Sequence, residues 1–321
     1  MKGPIVFKPI YQKRVWGGRT LGERFGRELP LAEEPYGESW EISDREGAAS
    51  EVSWPVEMSG KTLADLWGDP WMRERIFGEV YASMGGSFPL LLKILDARDR
   101  LSLQVHPPAS VAGELGGEPK TEMWFVAAAD EGAQLYVGLK AGVSREDFER
   151  GIATGTTEEQ VHRISVSAGQ FIFIPSGRLH AIGAGLLIYE IQENSDTTYR
   201  VFDWNRVGLE GEPRALHVEA SLKCIDFGDV EPEMSRRTGE VLVSCEQFLV
   251  EEWGLGVGER KGAVRAGCFG IITVIEGVVL CGGEEFREGD FFLIPALMGE
   301  DDGFVEGGKS GARVLWTGLP T

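Results

Sequence analysis

Short runs of alternating or wholly apolar residues, each closed by glycine or proline, dominate the chain. In LSLQVHPP, residues 101–108, the polar triplet Ser102, Gln104 and His106 alternates with Leu101, Leu103 and Val105 until two prolines end the pattern. Successive side chains of a strand point to opposite sides, so a strand here sets the polar triplet on one face and the aliphatic residues on the other. Just upstream, FPLLLKILDA reads as a strand buried enough to be almost wholly apolar except for Lys93. EMWFVAAA and AQLYVGLK form a further strand pair joined by a polar Asp-Glu-Gly turn.

Two segments carry a helical period instead. KTLADLWGDPWMRERIFGEVYASM spaces its apolar residues at helical intervals, with an interruption at Pro70, and predicts a helical insert over about 61–86. SREDFERGIATGTTEEQVHRI predicts a second insert over 144–162, where acidic turns after Ser144 and Thr157 suit N-caps. Residues 1–60 mix short β-type runs with glycine turns. Strands return in GQFIFIPSGRLHAIGAGLLIYEIQENSDTTYRVFDW, the stretch RVGLEGEPRALHVEASLKCIDFGD reads as a transition, and another run of strands starts near VLVSCEQFLVEEW.

An internal echo shapes the fold prediction. VSAGQFIFIPSGRLHAI (166–182) and FREGDFFLIPALMGEDD (286–302) both read as turn glycine, polar residue, aromatic-aliphatic strand, then Ile-Pro. Antiparallel strands with glycine turns, repeated twice, predict a mainly β protein of two similar β-barrels or jelly rolls. The expected domains are 1–235, with both helical inserts, and 236–321. Where the first copy has His180, the second has Gly299 or its neighbours, so a metal held by the first copy has no ligands in the second.

Composition narrows the partners. A length of 321 residues suits two domains, and 42% hydrophobic residues suffice for sizeable cores. The 32 basic residues against 51 acidic ones leave a net charge of −19, which argues against nucleic acid or an anionic membrane as partner. An anionic substrate would therefore need local cations at its site. Cys224, Cys245, Cys268 and Cys281 form no CxxC pair and read as buried thiols. No apolar run approaches a membrane span and the N-terminal stretch lacks a signal peptide's apolar core, so a cytoplasmic location is expected.

Gln104, His106, Glu122 and His180 stand out as possible metal ligands, because a small barrel brings distant strand ends together across its interior. Two imidazoles and a carboxylate with open positions for water suit a divalent ion. Zinc is the natural candidate, and harder cations such as Mn²⁺ or Mg²⁺ also tolerate an amide oxygen. From spacing alone the alternative stays open that these are hydrogen-bonded structural residues, since no compact HxH or HExxH pattern is present. His162 and His217 read as solvated or structural. Lys93, inside its apolar run, either snorkels or meets an anion. Lys120 shares the face of Glu122 if that segment is extended, and Arg200 lies on a strand after that of His180. Together with the Ser102 hydroxyl these cations can cradle a phosphate and a developing oxyanion.

The ordered motifs PLLLKILDARDRLSLQVHPP, KTEMWFV, GQFIFIPSGRLHAIGAG and QENSDTTYRVFDW resemble the type I mannose-6-phosphate isomerases of the short bacterial class, as do YQKRVWGG and GESWEIS near the N-terminus. The resemblance covers residues 1 to about 210 and, more loosely, the C-terminal barrel. It implies a cupin fold with one zinc-type metal in the N-terminal barrel, held by Gln104, His106, Glu122 and His180. It further implies a catalytic Arg200 with Asp196 in the preceding acidic position, phosphate contacts from Lys93 and Ser102, and an active-site lysine at Lys120. The chain departs from the family pattern at PSGRLHA, where small residues are common. There Arg178 either adds a charge near the site mouth or points to solvent. The helical domain of the longer eukaryotic-type enzymes is reduced to the short inserts.

The implied reaction interconverts mannose 6-phosphate and fructose 6-phosphate through an enediolate. As the proton-transfer group, Lys120 competes with a metal-bound hydroxide and a ligand histidine, and it serves as a base if the nearby metal lowers its pKa. Two other classes remain in view. A metal-dependent cupin oxygenase would require histidines where this chain has Gln-x-His, and a non-enzymatic sugar-binding bicupin would leave Lys120 and Arg200 without work.

Overall fold

The computed structural model describes residues 3–320, which form two compact units. One comprises Tyr11–Ser39 and Leu92–Ser235. Its five-stranded antiparallel sheet runs in the order Val161–Ser165, Gln134–Leu139, His180–Ile182, Leu103–Val105, Tyr199–Phe202. A six-stranded sheet runs Phe171–Ile174, Glu122–Ala129, Leu186–Glu193, Leu90–Ala97, Ile10–Gly18, Tyr36–Ile42. Trp16, Leu95, Trp124, Val126, Ile172 and Ile188 from the larger sheet pack against Leu135, Val137 and Ile182 from the smaller one.

The other face of the smaller sheet is also covered. Leu103, Val105, Tyr136, Leu139 and Val201 pack with Phe148 of the helix Arg145–Thr154 and Cys224 of the helix Val218–Cys224. This double cover decides the sense of the alternating stretch. Leu103 and Val105 face the helices, so Gln104 and His106 face the other way, into the space between the sheets.

Local chemistry sets the helix ends. Ser144 closes a capping box with Asp147, and the helix stops at Gly155, which adopts φ 74°, a left-handed conformation that costs glycine least. Thr157 does not cap: it sits inside the 3₁₀ turn Thr157–Gln160, whose N-cap Thr156 makes no side-chain capping bond. His162, expected on the helical insert, lies on the strand Val161–Ser165 instead. The stretch expected to be a transition contains the helix Val218–Cys224. Four apolar or small residues in its seven positions gave too short a periodic run for a helix to be read there.

The second unit gathers the N-terminal residues to Ile10, Trp40–Leu91, and the chain from Arg236 onward. Its seven-stranded sheet is built around two long strands, Gly270–Cys281 and Phe304–Gly318, which pair along most of their length. The predicted break at Pro70 divides two helices, Leu63–Gly68 and Pro70–Phe77. Asp69 between them accepts hydrogen bonds from the N–H groups of Trp71 and Met72, and Pro70 takes the first helical position, where its missing N–H costs nothing.

Contacts thus partition the chain differently from a single cut at 235/236. The physical reason is an aromatic cluster: Phe269 sits 5.3 Å from Phe77 and 5.8 Å from both Phe88 and Tyr81, in edge-on geometry. Burying these rings with Trp67 ties the first helical segment to the C-terminal strands.

The echoed segments occupy equivalent places in the two units. Phe171–Ile174 and Phe291–Ile294 are both strands ending at the Ile-Pro step. In one, the N–H of Gly169 donates to Val126 O and that of Val126 to Gln170 O; in the other, Gly289 donates to Val274 O and Val274 to Asp290 O. Among the described residues, no helix is long and apolar enough to cross a membrane.

Candidate metal centre and active site

Strand register assembles the site. Gln104 is paired with His180 on one side and with Arg200 on the other, so three adjacent strands place His180, Gln104 and Arg200 in one row on the inner face. On the six-stranded sheet Glu122 pairs with Gln192 and Trp124 with Glu190, which puts Glu122 and Glu190 on the same face by alternation.

His106, Glu122 and His180 are buried, and one potential ligand atom from each lies within 4.8 Å of the others. His106 Nε2 is 3.6 Å from Glu122 Oε2, and His180 Nε2 is 3.5 Å from Glu122 Oε1. The far nitrogens are tied to the backbone: His106 Nδ1 meets Thr197 O at 2.8 Å and His180 Nδ1 meets Arg178 O at 2.9 Å. A carbonyl only accepts, so each Nδ1 carries the proton and each Nε2 turns a lone pair toward Glu122. Burial, reinforced by the charge of Lys120, holds His106 well below the ordinary histidine range. Burial takes His180 down to about 3.

Two lysines share this interior with three carboxylates. Lys120 Nζ lies 3.0 Å from Glu122 Oε2, 3.3 Å from His106 Nε2 and 3.9 Å from Glu190 Oε1. Burial disfavours the Lys120 ammonium, but Glu122 and then Glu190 outweigh it and hold the group above the ordinary lysine range. Lys93 resolves its own alternative by meeting anions: Glu190 Oε1 at 3.5 Å and Glu38 Oε2 at 3.7 Å. Burial, followed by repulsion from Glu122, raises the pKa of Glu190.

This donor set fits a divalent ion. Two neutral imidazoles offer nitrogen lone pairs toward one point, and of the buried Glu122 carboxylate Oε2 meets the Lys120 ammonium while Oε1 has no hydrogen-bond partner. Gln104 presents Nε2 to His180 Nε2 at 3.3 Å, while its Oε1 lies 3.4 Å from the Ser102 hydroxyl. A turn of the amide by 180° exchanges nitrogen and oxygen in nearly the same volume and would bring the oxygen to the imidazoles.

A cavity of about 590 Å³ opens above this layer, and Lys93, Ser102, Gln104, Lys120, Glu190, Asp196 and Arg200 all line it. The imidazoles and Glu122 lie just beneath, screened by Gln104 and Lys120. Arg200 reaches the cavity with its guanidinium anchored by one bond, from Nη1 to Ala215 O at 2.9 Å, and its buried Nε has no partner. Burial and then the neighbouring Arg214 lower its pKa, yet an arginine remains a cation at neutral pH. His217, read as solvated or structural, accepts from the backbone N–H of Arg200 at 3.1 Å.

Arg178 neither reaches the site mouth nor points to solvent. Its guanidinium forms two 2.8 Å bonds to the carboxylate of Asp229 and a third, also 2.8 Å, to Phe173 O. Sequence reasoning missed Glu38, Glu190 and the Thr197 carbonyl. For Glu190 a signal was available: in LLIYEIQE it is an acid inside an apolar strand, the counterpart of Lys93 in LLLKILDA. Glu38 and Thr197 gave none, since a partner on a strand far along the chain and a backbone carbonyl leave no trace in a single sequence.

Two facing antiparallel sheets with a histidine–carboxylate set between them define a metallo-cupin type of site. Residues 5–133 match the family described as phosphomannose isomerase type I, catalytic domain. The chain is 36% identical over 304 residues to the mannose-6-phosphate isomerase of Streptococcus mutans, covering 92% of this chain and 93% of that one. It is 34% identical over 313 residues to the mannose-6-phosphate isomerase ManA of Bacillus subtilis, covering 92% and 94%. The crystal structure of the Bacillus subtilis mannose 6-phosphate isomerase superposes with a TM-score of 0.84 at 31% identity, over 99% of this chain and 100% of that one. The chain belongs to the type I phosphomannose isomerase family, and its fold is that of the cupins.

Proposed function

We propose that this protein is a metal-dependent aldose–ketose isomerase interconverting mannose 6-phosphate and fructose 6-phosphate. The observation that carries the reading is the buried His106–Glu122–His180 set beneath a cavity that also receives Lys120 and Arg200. The unit of Tyr11–Ser39 and Leu92–Ser235 would form the catalytic part, and the strands after 236 a second, cupin-like element without metal ligands. His106, Glu122, His180 and the amide oxygen of Gln104 would hold one divalent ion, with zinc favoured by the nitrogen-rich donor set.

The difficult step in such an isomerisation is removal of a proton from carbon beside a carbonyl. A bound dication supplies electrostatic stabilisation of the negative charge that develops on the sugar oxygens. Arg200 adds a second, permanent positive charge across the cavity. Lys120, 3.0 Å from Glu122 and on the cavity wall, would bring Nζ next to the reacting oxygens, where it can donate a hydrogen bond to them or exchange a proton. Lys93 and Ser102 would bind the phosphate, and Asp196 the sugar hydroxyls, fixing the orientation on which the proton transfer depends. Because Glu38 and Glu190 already flank Lys93, the phosphate must approach it from the cavity side.

A coupled assay of mannose 6-phosphate conversion to fructose 6-phosphate, run before and after chelation, tests the reading. Turnover that disappears on chelation and returns with one equivalent of zinc is expected. Turnover that survives complete metal removal, or no turnover with zinc bound, would refute it.

A further inference from the structure

The turn Pro175–Arg178 joins the two sheets at the metal-binding end, and three sets of bonds immobilise it. The N–H of Arg178 donates to Pro175 O at 3.1 Å, that of Gly177 to His106 O at 2.8 Å, and that of Asp226 to Gly177 O at 2.9 Å. Gly177 adopts φ 92°, where other residues are strained, and a Cβ there would lie 3.2 Å from Cys224 O. The third set is the Arg178 side chain itself, which spans from Asp229 to Phe173 O.

Both ends of that span are fixed. Phe173 belongs to a strand paired with Glu122–Ala129, so its carbonyl moves with the strand bearing Glu122. Asp229 is held from the other sheet: its carbonyl accepts from Leu139 N–H at 3.0 Å, and its N–H donates to Asp226 O at 3.2 Å. The carbonyl of Arg178 is the one that receives His180 Nδ1 at 2.9 Å. A planar guanidinium making three bonds therefore fixes the atom that sets the tautomer and ring angle of His180.

We propose that Arg178 and Asp229 form a positioning pair for the metal centre, clamping the Arg178 carbonyl so that His180 presents Nε2 as a preformed ligand. The pair touches neither the cavity nor the imidazole with its side chains, so it acts through the backbone. This inference rests on the metal-site reading above.

The test is zinc affinity of the purified full chain, measured by competition with a chromophoric chelator. Thermal unfolding of the metal-free and zinc-loaded forms and nitrogen-15 spectra of the His180 ring accompany it. Arg178→Ala and Asp229→Ala should each weaken zinc binding on the order of 10-fold, the range in which outer partners of metal ligands act. The double variant should lose no more than either single one, because one strut is removed in all three. The reciprocal exchange Arg178→Asp with Asp229→Arg should recover part of the loss. Zinc affinity within twofold of wild type in folded Arg178→Ala and Asp229→Ala, or equal destabilisation of the metal-free and loaded forms, would overturn the proposal. Should Ala variants not fold, Arg178→Lys decides: it keeps the charge but loses the fork, so unchanged affinity and an unchanged His180 tautomer sink the idea. A wild-type chain that binds no zinc at all would instead overturn the metal-site reading, and this inference with it.

Discussion

Gln104 and His180 face each other directly across a pair of antiparallel strands, the amide Nε2 of one 3.3 Å from the ring Nε2 of the other. The imidazole is fixed from behind by a backbone carbonyl, whereas the amide is held only by the contact with Ser102. The two are therefore expected to differ as ligands. His180→Ala should reduce bound zinc to below about a tenth of wild type by elemental analysis, because it removes one of only two nitrogen donors. Gln104→Ala should keep a metal at saturation and weaken affinity on the order of 10-fold. Full zinc occupancy in His180→Ala would remove that residue from the ligand set.

Lys120 is embedded among Glu122, Glu190 and His106, which keeps it charged. Lys120→Met preserves much of the volume and removes the proton and the charge. Its turnover should fall by roughly 10²- to 10⁴-fold, the usual range for a lost proton-transfer group. Its zinc content should remain at one equivalent, since the ammonium is not a ligand. A variant retaining most of wild-type kcat would show that Lys120 only balances the charge of Glu122.

Arg200 stands on the cavity wall with one side-chain anchor and no carboxylate partner in an ion pair among the described contacts. Such a cation is free to meet developing negative charge. Arg200→Ala should lower kcat by on the order of 10²- to 10³-fold with zinc content unchanged. Arg200→Lys should recover little, because a point charge on a flexible stem does not reproduce the planar fork. Loss of zinc in Arg200→Ala would contradict the role assigned to it.

These assignments show what was legible in the sequence. Alternation in LSLQVHPP pointed to a shared face for Gln104 and His106, and the two-residue spacing of Lys120 and Glu122 to a shared face if the segment is extended, because both follow from local extended geometry. The echo after Gly169 and Gly289 carried over into matching backbone bonds, since turn glycine and strand pattern are local properties. What could not be read is what depends on distance. The clustering of Phe269 with Phe77 and Phe88 joins segments nearly two hundred residues apart, so no local pattern assigned the first helices to the C-terminal unit. The capture of Arg178 by Asp229, 51 residues on, is of the same kind.

That distant packing has a stability consequence. Phe77 and Phe269 are almost fully buried and stack edge to face with centroids 5.3 Å apart. Truncating a buried phenylalanine removes its transfer free energy and leaves a cavity, at a cost of about 3–5 kcal/mol. Phe269→Ala and Phe77→Ala should each lose that much in denaturant unfolding, and the double variant should lose less than the sum because the rings touch. Strict additivity would show that the cluster is not a cooperative packing unit.

The pH dependence of stability has a clear contributor in the same unit. Arg265 makes two bonds to the Glu251 carboxylate, at 2.7 and 2.8 Å, and Trp253 Nε1–H donates a third at 2.7 Å. Burial alone would raise the pKa of Glu251, but these donors outweigh it and leave it below the ordinary glutamate value of 4.5. A carboxylate whose pKa is depressed on folding binds fewer protons in the folded state. Its stabilisation is therefore complete above pH 4.5 and lost as pH falls through the folded value. Glu251→Gln should thus destabilise the protein by about 1–3 kcal/mol at pH 7, since it leaves Arg265 without its charge partner. The difference from wild type should narrow as the pH is lowered below 4.5 and the wild-type carboxyl takes up its proton. Urea unfolding of both proteins between pH 7 and pH 3 measures this directly. A gap that stays constant across that range would mean that the pair contributes through packing and not through charge.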